Sequence, residues 1–176
     1  MSNSQAFETL VLPHLDAAFN LARWLLRSDQ AAEDAVQEAS MRAFRYLDSL
    51  RGQDARPWLL GIVRNACFTA MERTRNGPQR VEFDDAEFEA AIGEEARGDS
   101  DPAALLQRQR TRARIDAAIR ALSPPLREVI VLREFEDLDY AQIAKIADVP
   151  IGTVMSRLAR AREKLRAVLS QADLGE

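Results

Sequence analysis

The chain is poor in the residues that most often carry covalent chemistry. Its 176 residues include one cysteine, Cys67, and one histidine, His14. That excludes a disulfide framework and a Cys/His metal cluster, and it leaves no nucleophile–base pair to defend. Cys67 reads as a small packing residue and His14 as a surface or packing residue. Glycine and proline number 7 each, and aromatic residues make up 6%, which is too little turn and strand chemistry for an all-β fold. The longest apolar run, Trp58 to Val63, is far below the roughly 20 residues that a membrane helix needs. The start, Met-Ser-Asn-Ser-Gln-Ala, lacks a basic stretch followed by an apolar core, so no secretion signal is expected. What is present is 47% apolar and 30% charged residues, a globular balance. The expectation is an all-α, soluble, cytoplasmic protein without membrane insertion, metal or cofactor, and not an enzyme.

Charge is distributed unevenly. Residues 1–76 hold 9 basic and 9 acidic side chains, residues 77–102 hold 2 and 9, and residues 103–176 hold 13 and 10. The net charge of −4 thus belongs to the middle segment and conceals a basic C-terminal third. That segment, GPQRVEFDDAEFEAAIGEEARGDSDP, opens on Gly77-Pro78, closes on Asp101-Pro102 and has no sustained apolar stripe. It reads as an acidic, flexible linker with a weak helical turn near Ala86–Ala91, joining two small helical domains at 1–76 and 103–176.

In the first domain, Phe7, Leu10, Val11, Leu15, Ala18, Phe19, Ala22 and Leu25 recur at helical period over residues 5–27, with a break or kink at Pro13. Ser28 or Asp29 is a candidate cap for a helix over about 30–49. At 100° per residue, Ala32, Ala35, Val36, Ala39, Ala43, Tyr46 and Leu47 share one face of it. Asp34, Gln37, Glu38, Arg42 and Arg45 fill the other, as on many solvated helices. A polar loop, Asp48 to Arg56, leads to Pro57, placed at the first position of a helix over about 57–75.

In the second domain, a helix over about 103–121 is interrupted by Ser123-Pro124-Pro125. Helix resumes over Leu126–Glu134. A short helix follows in Leu138–Ala147, with Asp139 as its candidate cap. A break at Asp148-Val149-Pro150 precedes a longer helix from Ile151. A short helix, a tight turn and a second helix form the helix-turn-helix pattern. In the second helix, Val154, Leu158, Ala161, Leu165 and Val168 make a core stripe. Met155, Ser156, Ala159, Arg160 and Glu163 face away, with Arg157 and Lys164 on one flank and Arg162 and Arg166 on the other. Such a helix suits a major groove: an outer face for base edges and flanking cations for phosphates.

Two groups of residues carry a family resemblance. Glu33-Asp34-Ala-Val-Gln37-Glu38, Arg42-Ala-Phe44, Trp58-Leu-Leu and Arg64-Asn65 resemble region two of bacterial sigma factors. Leu122-Ser-Pro-Pro-Leu-Arg127, Tyr140-Ala-Gln-Ile-Ala, Ile151-Gly152-Thr153-Val154 and Ser156-Arg157-Leu158-Ala-Arg160-Ala-Arg162 resemble region four and its lead-in. Their order and the short linker between them are similar to the extracytoplasmic-function (ECF) group of the sigma-70 family.

The resemblance implies a transcription initiation factor that directs core RNA polymerase to promoter DNA. By it, Asp34, Gln37, Glu38 and Arg42 match the surface that grips the polymerase clamp. The 48–56 loop with Arg51 and Arg56, together with Arg64, Asn65, Arg73 and Arg75, matches the surface for the −10 element, where a melted strand is held by stacking and cations. At that position Trp58 is a core residue rather than a stacking platform. Thr153, Met155, Ser156, Arg157, Arg160, Arg162 and Lys164 belong to the surface for the −35 element. Met155 departs from the pattern, since many relatives carry a basic residue there. An anti-sigma factor is an implied partner. The alternative is a helix-turn-helix regulator that acts without replacing sigma and whose first domain dimerises or senses a ligand.

The linker has to reach. Promoter elements two DNA turns apart are separated by roughly 70 Å, whereas a coil of this length spans about 28 Å and full extension about 90 Å. An engaged linker is therefore drawn out, its carboxylates lining a path on the polymerase. Initiation unchanged after exchange of those acids for Ser or Gln counts against this expectation.

Overall fold

The computed structural model describes residues 2–77 and 101–173, and every regular element among them is helical. The linker expectations, including the turn near 86–91, fall outside the described residues apart from Gly77, Asp101 and Pro102. Helix α1 spans Asn3–Leu10 and a 3-10 turn spans Leu12–His14. Next come α2, Leu15–Leu26, α3, Asp29–Arg45, a second 3-10 turn, Leu47–Leu50, and α4, Ala55–Asn76. The second half holds α5, Pro102–Ala121, α6, Pro124–Ile130, α7, Tyr140–Ala147, and α8, Ile151–Asp173. Among the described residues, no helix is long and apolar enough to cross a membrane.

Local chemistry sets most of the boundaries. Pro13 sits in the turn that parts α1 from α2. Ser28 caps α3, its Oγ accepting from the Ala31 N–H at 3.2 Å. Asp54 caps α4, accepting from the Arg56 N–H at 3.1 Å. That cap starts α4 at Ala55, so Pro57 lies at its third position and not its first. Helix α3 ends at Arg45, which takes Tyr46 off the helical wheel. Instead of sharing the buried alanine face, Tyr46 is 57% exposed.

Helices α2, α3 and α4 pack together around Leu21, Leu25, Leu59, Leu60 and Val63, all buried. The alanines of α3 at 32, 35, 39 and 43 allow close approach to its neighbours. The second half packs α6, α7 and α8 around Val129, Ile130, Leu132, Ile143, Val154 and Leu158. Val168 is 49% exposed and thus outside the core stripe assigned to it.

The two halves also pack on each other. Helix α4 lies against α7, and α2 against α6. At Gly61 an added Cβ would stand 4.0 Å from the Ile146 Cα, which is van der Waals contact between the helices. One continuous apolar cluster runs through both halves. Helix α6 continues into a π-helical turn over Val131–Phe135, where the Glu136 N–H reaches back to the Val131 carbonyl at 3.2 Å. This wide turn carries Glu136 and Phe135 to the first half, and Phe135 meets Trp24 with ring centroids 5.2 Å apart.

Candidate nucleic-acid interface

The helix-turn-helix is built from the ends inward. Asp139 and Gln142 form a reciprocal capping box at the start of α7: the Gln142 N–H donates to Asp139 Oδ1 at 2.8 Å and the Asp139 N–H to Gln142 Oε1 at 3.0 Å. Asp148 ends α7 in the left-handed region at φ 54°, a conformation aspartate tolerates better than most residues. The Pro150 carbonyl accepts from the Thr153 and Val154 N–H groups at 3.0 and 3.2 Å and opens α8. Val154, Leu158 and Ala161 are buried, fixing which side of α8 faces out.

That outer side carries Met155, Ser156, Ala159, Arg160 and Glu163, all exposed. Thr153 is half-buried at the helix start, and the Ser156 hydroxyl donates to its carbonyl at 3.1 Å. Arg157, Arg160 and Lys164 line one wall of an open cleft of about 760 Å³ whose other wall is Ser123, Pro125 and Leu126. Arg162 pairs with Glu134 at 3.0 Å, and its side chain stays 40% exposed. The bonds to Glu134 and Tyr140 hold its guanidinium charged, raising its pKa.

On α3, Asp34 and Gln37 are exposed, with Glu38 and Arg42 beside them half-buried. Arg42 Nη2 donates to Glu38 Oε1 at 2.6 Å, and Gln30 to Asp34 Oδ1 at 3.2 Å. A surface pair of this spacing contributes about 0.3–0.5 kcal/mol, so the arrangement orders a polar face more than it stabilises the helix. Exposed Met41 and Phe44 flank it.

The cations assigned to the −10 surface fall into two groups. Arg51 stands on an exposed loop held by buried Leu50 and Ala55, and the turn passes through positive φ at Arg51 (22°) and Gly52 (71°). Gly52 accepts that φ without a Cβ penalty. Asn65, Arg73 and Arg75 are likewise exposed along α4, and Trp58 is half-buried as a packing residue.

Arg56 and Arg64 instead bind the second half. Arg56 Nη2 donates to the Glu136 carbonyl at 2.7 Å and to its carboxylate at 2.8 Å, while Asn20 Nδ2 donates to the same carboxylate at 2.9 Å. Arg64 Nε donates to Glu128 at 2.6 Å, and its guanidinium lies 3.9 Å from the Phe68 ring centroid. Glu128 is wholly buried. Burial pushes its carboxyl above the usual carboxylate range, against the opposing pull of Arg64 and Arg157. Burial, with Glu128 nearby, pushes the Cys67 thiol up to about 12, keeping it neutral. Arg127 donates to the carbonyls of Arg120, Leu122 and, across the halves, Leu25 at 2.9, 3.1 and 3.2 Å. Its pKa is lowered to about 10, by burial first and Arg27 second. Sequence reasoning passed over Glu128, Glu136 and Asn20. The available signal was a carboxylate inside the apolar run Leu126–Leu132.

Two family profiles match this chain: Sigma-70 region 2 over residues 10–76, and Sigma-70, region 4 over residues 112–165. Between them they cover α2–α4 and the helix-turn-helix. The RNA polymerase sigma-H factor of Pseudomonas aeruginosa is 35% identical over 171 residues, spanning 95% of this chain and 88% of that protein. This chain belongs to the sigma-70 family. Within that family its relatives are of the ECF group. The ECF RNA polymerase sigma-E factor of Escherichia coli K12 is 34% identical over 166 residues, 93% of this chain and 86% of that one. Among solved structures, the Bartonella quintana sigma factor RpoE, in complex with the anti-sigma factor NepR, superposes with a TM-score of 0.68 at 28% identity. The match covers 93% of this chain and 96% of that one. The likeness to CnrH, at 24% identity and TM-score 0.62, supports the fold alone.

Proposed function

We infer that this ECF sigma factor directs core RNA polymerase to a subset of promoters and helps open them, performing no covalent chemistry itself. The observation that carries the reading is the pairing, on one chain, of an exposed polar α3 face with a helix-turn-helix whose outer face is open. The unit at 1–76 serves polymerase and the −10 element. The segment 77–102 is the linker, and the unit at 103–176 serves the −35 element. Asp34, Gln37, Glu38 and Arg42 hold the polymerase clamp. Arg51, Arg56, Arg64, Asn65 and Arg73 serve the melted −10 strand. Met155, Ser156 and Arg160 meet base edges, Thr153 stands at the helix start, and Arg157, Arg162 and Lys164 hold phosphates. The site is cytoplasmic, where polymerase and DNA meet.

In the form described here the two units touch, so they cannot occupy elements roughly 70 Å apart. Promoter engagement separates them, and this frees Arg56 and Arg64 from Glu136 and Glu128. An anti-sigma factor is the further partner of this reading, since the Bartonella relative is found in complex with one. A net charge of −4 disfavours duplex binding by the free chain, because the counterion-release gain is small. The test is initiation from a randomised promoter library with purified chain and core polymerase. Specific transcripts that need both components are expected. Symmetric footprints from the chain alone, without association with core, would overturn the reading in favour of a regulator.

A further inference from the structure

The exposed face of α8 is divided in a way that general phosphate-binding does not require. Met155 is 54% exposed and Ile151 is 47% exposed. They stand four residues apart, hence on one side of the helix. Neither joins the buried core nor the partly buried side chains packed against it. Single exposed apolar residues are ordinary, but these two occupy the N-terminal part of the second helix of a helix-turn-helix, the part that reaches base edges.

Their surroundings sharpen the point. An added Cβ at Gly152 meets no atom within 4 Å, so the surface between the pair and Ser156 is open. Ala159 is exposed and offers only a methyl group. The Ser156 hydroxyl already donates to the Thr153 carbonyl at 3.1 Å. Among the fully exposed side chains from Ile151 to Ala159, Ile151, Met155 and Ala159 are apolar, and the forked donors Arg157, half-buried, and Arg160 stand on the far side of the helix, against the cleft. At 100° per residue, Met155 and Ile151 lie on one edge of this face, and Arg160 and Lys164 on the other. Arg162 and Arg166 share the Met155 edge but stand about two turns further along the helix, and Arg162 is paired with Glu134. The cation edge suits phosphates and guanine. The apolar start of the first edge has one counterpart in the major groove, the C5-methyl group of thymine.

We propose that Met155, supported by Ile151, reads a thymine methyl group in the −35 element and makes this chain's promoter choice depend on that methyl. The proposal rests on the sigma-factor reading above. It is tested with the reconstituted holoenzyme on a promoter selected from the randomised library, replacing each −35 thymidine in turn by deoxyuridine, which removes only the methyl. One position, or two adjacent ones, is expected to lose about four-fold in initiation, the worth of one buried methyl-sized group. Met155→Ala is expected to abolish that uracil sensitivity and Met155→Leu to retain it. Both sites are exposed, and circular dichroism checks that the variants keep their helix content. Uracil tolerated at every −35 position, or a sensitivity that survives Met155→Ala, overturns the proposal while transcription itself leaves the sigma reading intact. Failure of every promoter with core polymerase present brings down both.

Discussion

The surfaces assigned to DNA in the two halves are built from the same residue type with opposite outcomes. Arg160 and Lys164 on α8 stand in solvent, whereas Arg56 and Arg64 on α4 are turned into the contact with the other half. The difference lies in what each helix is packed against. Helix α8 uses Val154, Leu158 and Ala161 to face its own unit and keeps its remaining sides open. Helix α4 is flanked on both sides, by α2 and α3 within its unit and by α7 beyond it. An arginine near that second boundary, Arg64, meets the wholly buried Glu128 of α6. Closing the two halves thus engages two of the arginines assigned to the −10 element and leaves the outer face of α8 exposed.

Breaking that asymmetry at its charged centre has the largest expected effect. Glu128→Ala leaves the half-buried Arg64 without its carboxylate, and removing one partner of a buried pair costs at most about 3–5 kcal/mol. The expected outcome is a lower urea midpoint together with a larger radius of gyration in solution scattering. A variant as stable and compact as the parent would show that the pair does not hold the halves together. The same residue gives a pH test. Burial keeps Glu128 protonated to higher pH in the packed chain than in the open one. The packed form therefore binds the extra proton, and its advantage is full below the ordinary carboxyl range and declines as pH rises through the raised value. Glu128→Gln cannot titrate, so the stability difference between it and the parent should change with pH across that window. A constant difference would contradict the raised value.

A wedge separates the halves without touching charge. Alanine fits at Gly61, but the branched side chain of Gly61→Leu meets the α7 backbone around Ile146. Overpacking of this kind costs about 1–3 kcal/mol. The chain should expand in scattering while its helix content holds, and the −10 cations should become available. On the open surface, Arg160→Ala is expected to cost about 1–3 kcal/mol of discrimination at one −35 base pair, with fold stability unchanged within about 0.5 kcal/mol. Competition between single-base promoter variants measures it. The smallest effect belongs to Lys164→Ala. It should weaken all promoters alike and lower the salt slope of binding by about 0.9, and a sequence-dependent loss would place Lys164 at a base edge instead.

Periodicity and capping chemistry made most of the fold legible. The buried alanines of α3, the Ser28 and Asp139 caps, the break at Ser123-Pro124-Pro125 and the outward set on α8 all follow from local rules. Local reasoning went wrong where a cap or a helix end shifted by a few residues, as at Pro57 and Tyr46, and where a stripe ran past its partner, as at Val168. The sequence by itself determined two helical units, their order, and the exposed outer face of α8, because each depends on residues close together in the chain. Only the tertiary structure decided that Arg64 would find Glu128, 64 positions away, and that Arg56 and Asn20 would share Glu136. The periodicity of a helix shows that a face will be covered, but it carries no information about which distant surface covers it. That choice rests on shape and desolvation summed over a whole interface.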